Sequence, residues 1–404
     1  MKIIFLRTLS KKMNYPILQL KLKRERSILL KHPWIFSGAL ERKPKAEEGS
    51  IVEVRSHHND ILGYGFYSEK SQISCRMFDW QNSPSNFESS DFWTEKIRQA
   101  LLLRKSILPQ DTDAFRLLHA EGDFLPGIIA DVYKDVVVLQ ILVRGIEQRK
   151  DLLIEAFQRN GFENLYLKTK ASSQNIEEIS STSGWIAGGG EGKVIAKEYN
   201  LLFNIDFVDG QKTGFFIDQR ENRRLLQSLS NNKRVLNTFC YTGGFSVFAL
   251  AGGASEVHSV DISAEAIRLA EENVALNFPT ANHKGITVDC FDFLKDMPDN
   301  EYDIIILDPP AFAKNARAVD NASRGYKQIN MRALKKIKPG GILFTFSCSQ
   351  NISKDLFQKI IFGAASDVGR NVRIIHQLHQ PADHPISIYH PEGEYLKGLV
   401  VWVE

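Results

Sequence analysis

The first part of the chain carries short apolar segments separated by turn residues. Leu18, Leu20 and Leu22 alternate with polar neighbours, which is the period of a half-buried strand. Further short apolar segments follow up to residue 80, and turn pairs such as Gly49-Ser50 separate them. Many short strands with regular turns predict a small β-barrel over residues 14–85.

The pattern changes after a Ser- and Asn-rich linker over residues 82–90. Apolar positions among lysines and arginines predict a helix over residues 91–106, and residues 151–160 show a second helical pattern. Residues 136–142 are almost continuously apolar and predict a buried strand. We therefore expect a mixed α+β domain over residues 88–200.

Two further patterns organise the C-terminal half, residues 201–404. Apolar residues over 201–208, the turn pair Asp209-Gly210 and residues 212–217 predict a β-hairpin. From residue 233 onwards, apolar strands alternate with helical segments, which is typical of a doubly wound α/β domain with a mostly parallel sheet. The predicted strands cover residues 234–239, 256–260, 285–288, 302–307 and 342–346.

Composition adds limits to this picture. The 404 residues suggest two or three domains, and 43% hydrophobic with 25% charged residues is ordinary for a globular protein. This composition excludes a disordered, collagen-like or coiled-coil chain. No apolar stretch reaches about 18 residues, so we expect no membrane contact. The four cysteines are too sparse for a disulfide framework, which favours a reducing, cytoplasmic compartment.

The net charge of +3 hides an uneven distribution. Residues 1–35 carry nine basic residues and one acidic residue, a charge of +8, which leaves −5 for the rest of the chain. This asymmetry favours a polyanionic partner, although an ordinary solvated charge run explains it equally well. Residues 1–12 are a candidate N-terminal extension, because Met13 offers a second possible start.

The first strand of the α/β domain leads into a candidate cofactor loop. Residues 234–239 run into a turn that contains Gly243 and Gly244, and the next strand ends at Asp261, a suitable partner for a ribose diol. The spacing does not match the G-x-G-x-x-G pattern that seats a pyrophosphate, and S-adenosylmethionine has no phosphate to seat. Asp289 follows the third strand and could accept a hydrogen bond from an adenine amino group.

Two later strand ends carry candidate chemistry. Asp308, Pro309 and Pro310 form a stiff turn, which would hold the Asp308 carboxyl over the cofactor and against nitrogen-3 of a cytosine. Phe312 could stack on a flipped base. Cys348 follows another strand, and a thiolate there could add to carbon-6 of cytosine and make carbon-5 nucleophilic. A small buried core cysteine is an equally weighted alternative at this point.

These motifs resemble those of the class I S-adenosylmethionine-dependent 23S ribosomal RNA cytosine-5 methyltransferases, which carry an N-terminal PUA domain. The resemblance covers nearly the whole chain from residue 14 and rests on several motifs in order. They are residues 32–39, 122–128, 212–220, 238–245, 308–312, 346–349, 382–385 and 394–398. The chain has Ala311 where some members of the family carry a lysine.

The resemblance implies a Rossmann-like class I methyltransferase domain at the C-terminus, preceded by a small β-barrel PUA domain and a mixed α+β middle domain. It implies S-adenosylmethionine as cofactor, Cys348 as nucleophile with Asp308 as second catalytic residue, and 23S ribosomal RNA or a ribosome assembly intermediate as partner; a homodimer is possible. The implied cofactor residues are Gln219, Arg220, Phe239, Tyr241, Thr242, Gly243, Gly244, Asp261, Ile262, Asp289, Cys290, Asp308 and Pro309. The candidate substrate contacts are Lys23, Arg24, Arg223, Pro310 and Phe312.

Other functions stay open on sequence grounds. A methyltransferase acting on an exocyclic amine of guanine or adenine would also suit the Asp-Pro-Pro turn, and a non-catalytic RNA-binding assembly factor is a third possibility. A nicotinamide-dependent oxidoreductase fits least, because the phosphate loop is absent. The histidines near the C-terminus lack metal-ligand spacing, so we expect no metal. Arg220, Arg223 and Arg224 could grip RNA phosphates or form a solvated helix face.

Overall fold

A computed structural model describes residues 14–169, 177–313 and 315–404 of the chain. The predicted N-terminal extension over residues 1–12 lies outside these residues. None of the helices within the described ranges combines the length and apolarity needed to cross a bilayer.

The N-terminal sheet is a small closed unit of five strands. Its spatial order is β1 (Ile17–Gln19), β3 (Ile51–Arg55), β4 (Ile61–Tyr67), β5 (Ile73–Asp79) and β2 (Trp34–Phe36), and helix α1 spans Arg26–Leu29. An isolated β-bridge between Leu20 and Leu40 joins the segments that continue from the two edge strands, β1 and β2. The sheet is therefore closed, as expected for the predicted barrel. The predicted strand through Leu22 is too long. β1 ends at Gln19 and the Leu22 side chain is 51% exposed, because the chain turns at Lys23 with a positive φ of 65°.

The middle sheet packs against the N-terminal one through a shared apolar core. Helix α2 begins after the N-cap Ser89, whose hydroxyl accepts from the Asp91 amide, and buries Trp93 and Ile97 on one face. Trp93 meets Phe66 and Phe78 of the N-terminal sheet in one hydrophobic cluster. The strands, in spatial order, are β10 (Gly184–Ala187), β9 (Asn164–Leu167), β8 (Val136–Ile141), β7 (Ile128–Tyr133) and β6 (Ala114–His119); the helices are α2 (Ser90–Ile107), α3 (Arg144–Glu147) and α4 (Lys150–Arg159).

The predicted hairpin over residues 201–217 is wrong. Strand β12 (Leu201–Asp206) pairs instead with the preceding strand β11 (Lys193–Glu198) in antiparallel register. The turn between them consists of Tyr199 and Asn200, both with positive φ, as tight two-residue hairpins require. After β12, the Asp206 carboxylate accepts hydrogen bonds from the amides of Val208 and Asp209 and ends the strand. Residues 207–216 are therefore a loop.

The C-terminal sheet confirms the doubly wound α/β prediction and extends it. Its spatial order is β15 (His283–Thr287), β14 (Glu256–Asp261), β13 (Arg234–Thr238), β16 (Ile304–Leu307), β17 (Gly341–Ser347), β19 (Lys397–Val403) and β18 (Val372–His379). The five predicted strands are the parallel ones, whereas β19 and β18 are antiparallel additions. The helices are α5 (Arg220–Leu229), α6 (Gly244–Ala251), α7 (Ala264–Asn277), α8 (Cys290–Asp296), α9 (Val319–Lys336) and α10 (Lys354–Val368).

Buried ion pairs join the C-terminal sheet to its neighbours. The Arg223 guanidinium on α5 makes two 2.7 Å hydrogen bonds to the carboxylate of Glu198 at the end of β11. Arg220 contacts the Asp383 carboxylate at 2.8 and 2.9 Å, and that carboxylate also accepts from the Arg116 amide of β6. All these side chains are buried, so each charge depends on its partner.

We expect Glu198→Gln to destabilise the protein by about 3–5 kcal/mol, because it leaves the buried Arg223 charge without a counter-charge. Denaturant unfolding of full-length protein measures the effect. Glu265→Gln is the matched control, since it breaks a solvent-exposed pair with Arg268 on α7 and should leave the unfolding midpoint unchanged. An equal shift in both variants would contradict the structural role of the buried pair.

Candidate active site

The loop between β13 and α6 is shaped by one glycine that no other residue can replace without strain. Gly243 has a φ of 75°, and a Cβ added there would lie 2.8 Å from the Cβ of Ala270 on α7. The loop is also held by Asn273, whose amide donates to the Thr242 carbonyl at 2.9 Å. The backbone of this loop is therefore packed directly onto α7.

A cavity of about 230 Å³ lies at the carboxyl edge of the parallel strands, where the strand order reverses between β14, β13 and β16. It brings together twelve of the residues expected from the sequence: Gln219, Arg223, Phe239, Tyr241, Thr242, Gly244, Asp261, Ile262, Asp308, Pro309, Pro310 and Cys348.

Asp261 offers the cavity a carboxylate of fixed orientation. One of its oxygens accepts from the Tyr241 amide at 3.1 Å, and the other accepts from the Ser263 amide at 3.0 Å. The next residue, Ile262, leaves 68% of its surface exposed at the cavity. A fixed carboxylate beside an exposed apolar side chain suits a ribose and its attached base.

Asp308 lies in the cavity with an unusual affinity for protons. Burial raises the pKa of its carboxyl to about 7, and the Asp218 carboxylate adds to the effect, while Lys212 and a hydrogen bond from Gln219 oppose it. Its carboxyl can therefore carry a proton near neutral pH, which an ordinary aspartate cannot.

Cys348 shares the cavity with Asp308. Burial and the Asp308 charge raise the pKa of the half-buried Cys348 thiol to about 11, whereas Lys212 lowers it. Cys240 also lines the cavity, but its thiol is more deeply buried and donates to the Tyr241 carbonyl at 3.7 Å. Cys348 is therefore the better placed of the two sulfurs for nucleophilic chemistry.

Lys212 and Asp218 are cavity residues that the sequence patterns do not single out. The Lys212 ammonium lies 2.7 Å from an Asp218 oxygen, which also accepts from the Tyr395 hydroxyl at 2.7 Å. The Lys212 charge holds the pKa of Asp218 well below its usual range in spite of burial. The sequence signal for both residues is their position within residues 212–220, one of the family-like motifs, although the hairpin prediction places Lys212 in a strand.

Four expected cofactor residues support the cavity without lining it. Gly243 shapes the loop, and the Cys290 sulfur accepts from the Phe239 amide behind it at 3.2 Å. Asp289 caps α8 by accepting from the amides of residues 291 and 292. Arg220 is committed to its buried ion pair with Asp383.

Two expected substrate contacts are placed differently from the prediction. Arg223 is buried against Glu198 and 4.6 Å from the Phe215 ring, so it is not free to grip RNA phosphates. Phe312 is half-buried, packs on Tyr326 with ring centroids 4.6 Å apart, and lies outside the cavity lining. In contrast, Arg224 is exposed, because α5 turns only one face inward.

Lys23 and Arg24 fit the expected role of RNA contacts better than Arg223 and Phe312 do. Both side chains are exposed and line a groove of the N-terminal sheet, together with Arg26 and the exposed aromatic ring of Phe36. Cations beside an aromatic ring are the usual elements of a nucleic-acid surface.

The cavity residues fit S-adenosylmethionine better than a dinucleotide. The two cationic side chains in the described lining, Lys212 and Arg223, are each ion-paired with a carboxylate and so leave no free charge for a pyrophosphate. Asp261 and the surface formed by the side chains of Phe239 and Ile262 would hold the nucleoside part of S-adenosylmethionine, and Asp308 lines the same cavity. Within the described ranges, no group of three or more histidine, cysteine or acidic side chains is arranged to hold a metal.

Two family profiles match the sequence. The profile of the S-adenosylmethionine-dependent methyltransferases covers residues 128–389, and that of a PUA-like domain covers residues 18–80. Two solved structures share the fold. A methyltransferase complexed with SAH superposes with a TM-score of 0.82 at 23% identity, over 96% of this chain and 99% of that chain. A SAM-dependent methyltransferase from Streptococcus mutans has a TM-score of 0.81 at 22% identity, with the same coverage.

Relatives with assigned names match almost the whole chain. The ribosomal RNA large subunit methyltransferase I of Shewanella denitrificans is 40% identical over 398 residues, which cover 95% of this chain and 99% of the relative. The protein of the same name from Escherichia coli O1:K1 / APEC is 41% identical over 383 residues, covering 93% of this chain and 96% of the relative. The chain therefore belongs to the ribosomal RNA large subunit methyltransferase I family, in which a PUA-like domain precedes an S-adenosylmethionine-dependent methyltransferase domain.

Proposed function

We propose that this protein methylates carbon-5 of a cytidine in 23S ribosomal RNA, as free RNA or within an assembly intermediate, with Cys348 as nucleophile. The observation that carries the proposal is the shared cavity of Cys348 and Asp308. A methyltransferase for an exocyclic amine needs to orient its substrate but needs no thiol. The Cys348 sulfur beside a proton-holding carboxyl is what cytosine carbon-5 chemistry requires.

Each residue has a defined part in this reaction. The Cys348 thiolate forms a bond to carbon-6, and the electron pair of the 5,6 double bond moves to carbon-5. Bound S-adenosylmethionine supplies the electrophilic methyl group. The proton of carbon-5 is then lost to water, the electron pair of that carbon–hydrogen bond re-forms the 5,6 double bond, and the carbon-6–sulfur bond breaks with its own pair leaving on sulfur, so that Cys348 departs as a thiolate. Protonated Asp308 donates to nitrogen-3 and makes carbon-6 more electrophilic.

The RNA would reach this cavity along the basic face of the PUA-like domain. Lys23, Arg24 and Arg26 are exposed in one groove, where they can neutralise phosphates. We further infer a cytoplasmic location, because ribosomal RNA is the substrate of the named relatives and the four thiols are free.

We expect Cys348→Ala to lower the rate of 5-methylcytidine formation by about 10³-fold or more, since it removes the nucleophile. The measurement uses unmodified ribosomal RNA and isotope-labelled cofactor, followed by nucleoside mass spectrometry. Cys240→Ala is the matched control in the same cavity and should keep most of the activity. Label in an N-methylated purine, or full activity without the Cys348 thiol, would refute the mechanism.

We expect Asp308→Asn to separate thiol reactivity from methylation. Removing the carboxylate lowers the pKa of the Cys348 thiol, so alkylation by iodoacetamide at pH 8 should become several-fold faster. Methylation should become slower, because the amide of asparagine can donate a hydrogen bond to nitrogen-3 but is far less acidic than a carboxyl group and so activates carbon-6 less. Mass spectrometry of the alkylated Cys348 peptide gives the first rate. Unchanged alkylation would show that the two groups do not interact.

We expect the double substitution Lys23→Gln/Arg24→Gln to weaken binding of a ribosomal RNA fragment by about tenfold and to reduce its salt dependence. Fluorescence anisotropy at several salt concentrations tests this. The control is Lys105→Gln/Lys359→Gln, which removes the same charge from exposed helical positions outside the groove. Equal losses in both double variants would point to a general charge effect and against a specific RNA groove.

A further inference from the structure

The ammonium group of Lys397 is buried beneath the turn that carries Cys348. Lys397 begins β19 and lies opposite Ser347 of β17 in the antiparallel register. Its side chain is only 5% exposed, and its Nζ donates to the carbonyls of Ser349 and Ile352 at 2.7 and 2.8 Å. The lysine therefore ties down both sides of the turn that follows the nucleophile.

Within the part of the chain that the structure describes, this buried cation has no carboxylate partner. None of the ion pairs among the described residues includes Lys397, and the nearby Glu394 carboxylate is paired with Lys354. Two carbonyl acceptors leave one of the three ammonium hydrogens unused. Burying a charge without a counter-charge is costly, and an anion that forms beside it would offset this cost.

We propose that Lys397 is a positioning residue for the Cys348 nucleophile: it clamps the turn and supplies the positive charge that favours the thiolate. The proposal rests on the assignment of Cys348 as nucleophile in the proposed function.

The charges around the two groups support this role. The carboxylates of Asp308 and Asp218 disfavour the Cys348 thiolate, and Lys212 favours it from the cavity side but is already paired with Asp218. Burial lowers the pKa of Lys397 to about 8, and Cys348 is the strongest of the groups that oppose this, with Glu394 also raising it and Lys354 lowering it. A positive charge on Lys397, held against the turn that follows Cys348, favours the thiolate over the neutral thiol.

The test measures thiol reactivity in the full-length protein without RNA. In Lys397→Met, alkylation of Cys348 by iodoacetamide at pH 8 should fall by about tenfold, and its pH profile should move to higher pH. Lys397→Arg keeps the charge and should retain most of the reactivity. Lys359→Met removes an exposed cation of α10 that is paired with Asp355, and it should leave the profile unchanged. In methylation assays, kcat should fall in Lys397→Met while KM for RNA stays constant.

Two results would overturn the proposal. One is a Lys397→Met protein that melts at a lower temperature but keeps the wild-type pH profile of alkylation, which would make Lys397 a structural clamp only. The other result comes from a second experiment, which is needed if Lys397→Met does not fold. An NMR titration of Lys397 in Cys348→Ser should give a lower lysine pKa than in the wild type. An unchanged lysine pKa would refute the coupling between the two groups. Absence of 5-methylcytidine with the expected alkylation shift would refute the proposed function and leave the coupling intact.

Discussion

The parallel direction of β13, β14, β16 and β17 is the constraint on which the site depends, because it brings four strand ends to one edge of the sheet. At each strand end, some polar groups of the backbone and side chains have no hydrogen-bond partner in a neighbouring strand. Asp261, Asp308 and Cys348 occupy these ends. The tight Gly243 turn is packed against α7, so the edge stays open for a ligand and is not filled by side chains.

The middle domain holds the remaining wall of the cavity. The Thr213 hydroxyl donates to the Asp131 carboxylate of β7 at 2.6 Å and contacts the Tyr133 hydroxyl at 2.9 Å. Lys212 precedes this anchor, and Asp218 follows it shortly before α5. Because the loop is fastened to a different sheet from the one that carries Asp308, cavity geometry depends on the packing of both sheets.

Burial sets the chemistry of the cavity more than any single charge. Desolvation raises the pKa values of Asp308 and Cys348, and it lowers that of Lys397. These shifts keep the groups closer to neutral than they would be in water. A carboxyl that holds a proton and a thiol that needs a cation nearby are thus consequences of the same low-polarity surroundings.

Strand periodicity and strand-end residues were determined by the sequence alone, because hydrophobic alternation and turn chemistry are local properties of the chain. They predicted the parallel sheet, the glycine loop and the positions of Asp261, Asp308 and Cys348. Strand pairing and helix rotation were decided only by the tertiary structure. The β11–β12 pairing left Lys212 on a loop, α5 turned Arg223 inward, and β19 placed Lys397 under Cys348. Such contacts join parts of the chain that are distant in sequence, and the cost of burying a charge decides which of them form. A local sequence pattern contains no information about either.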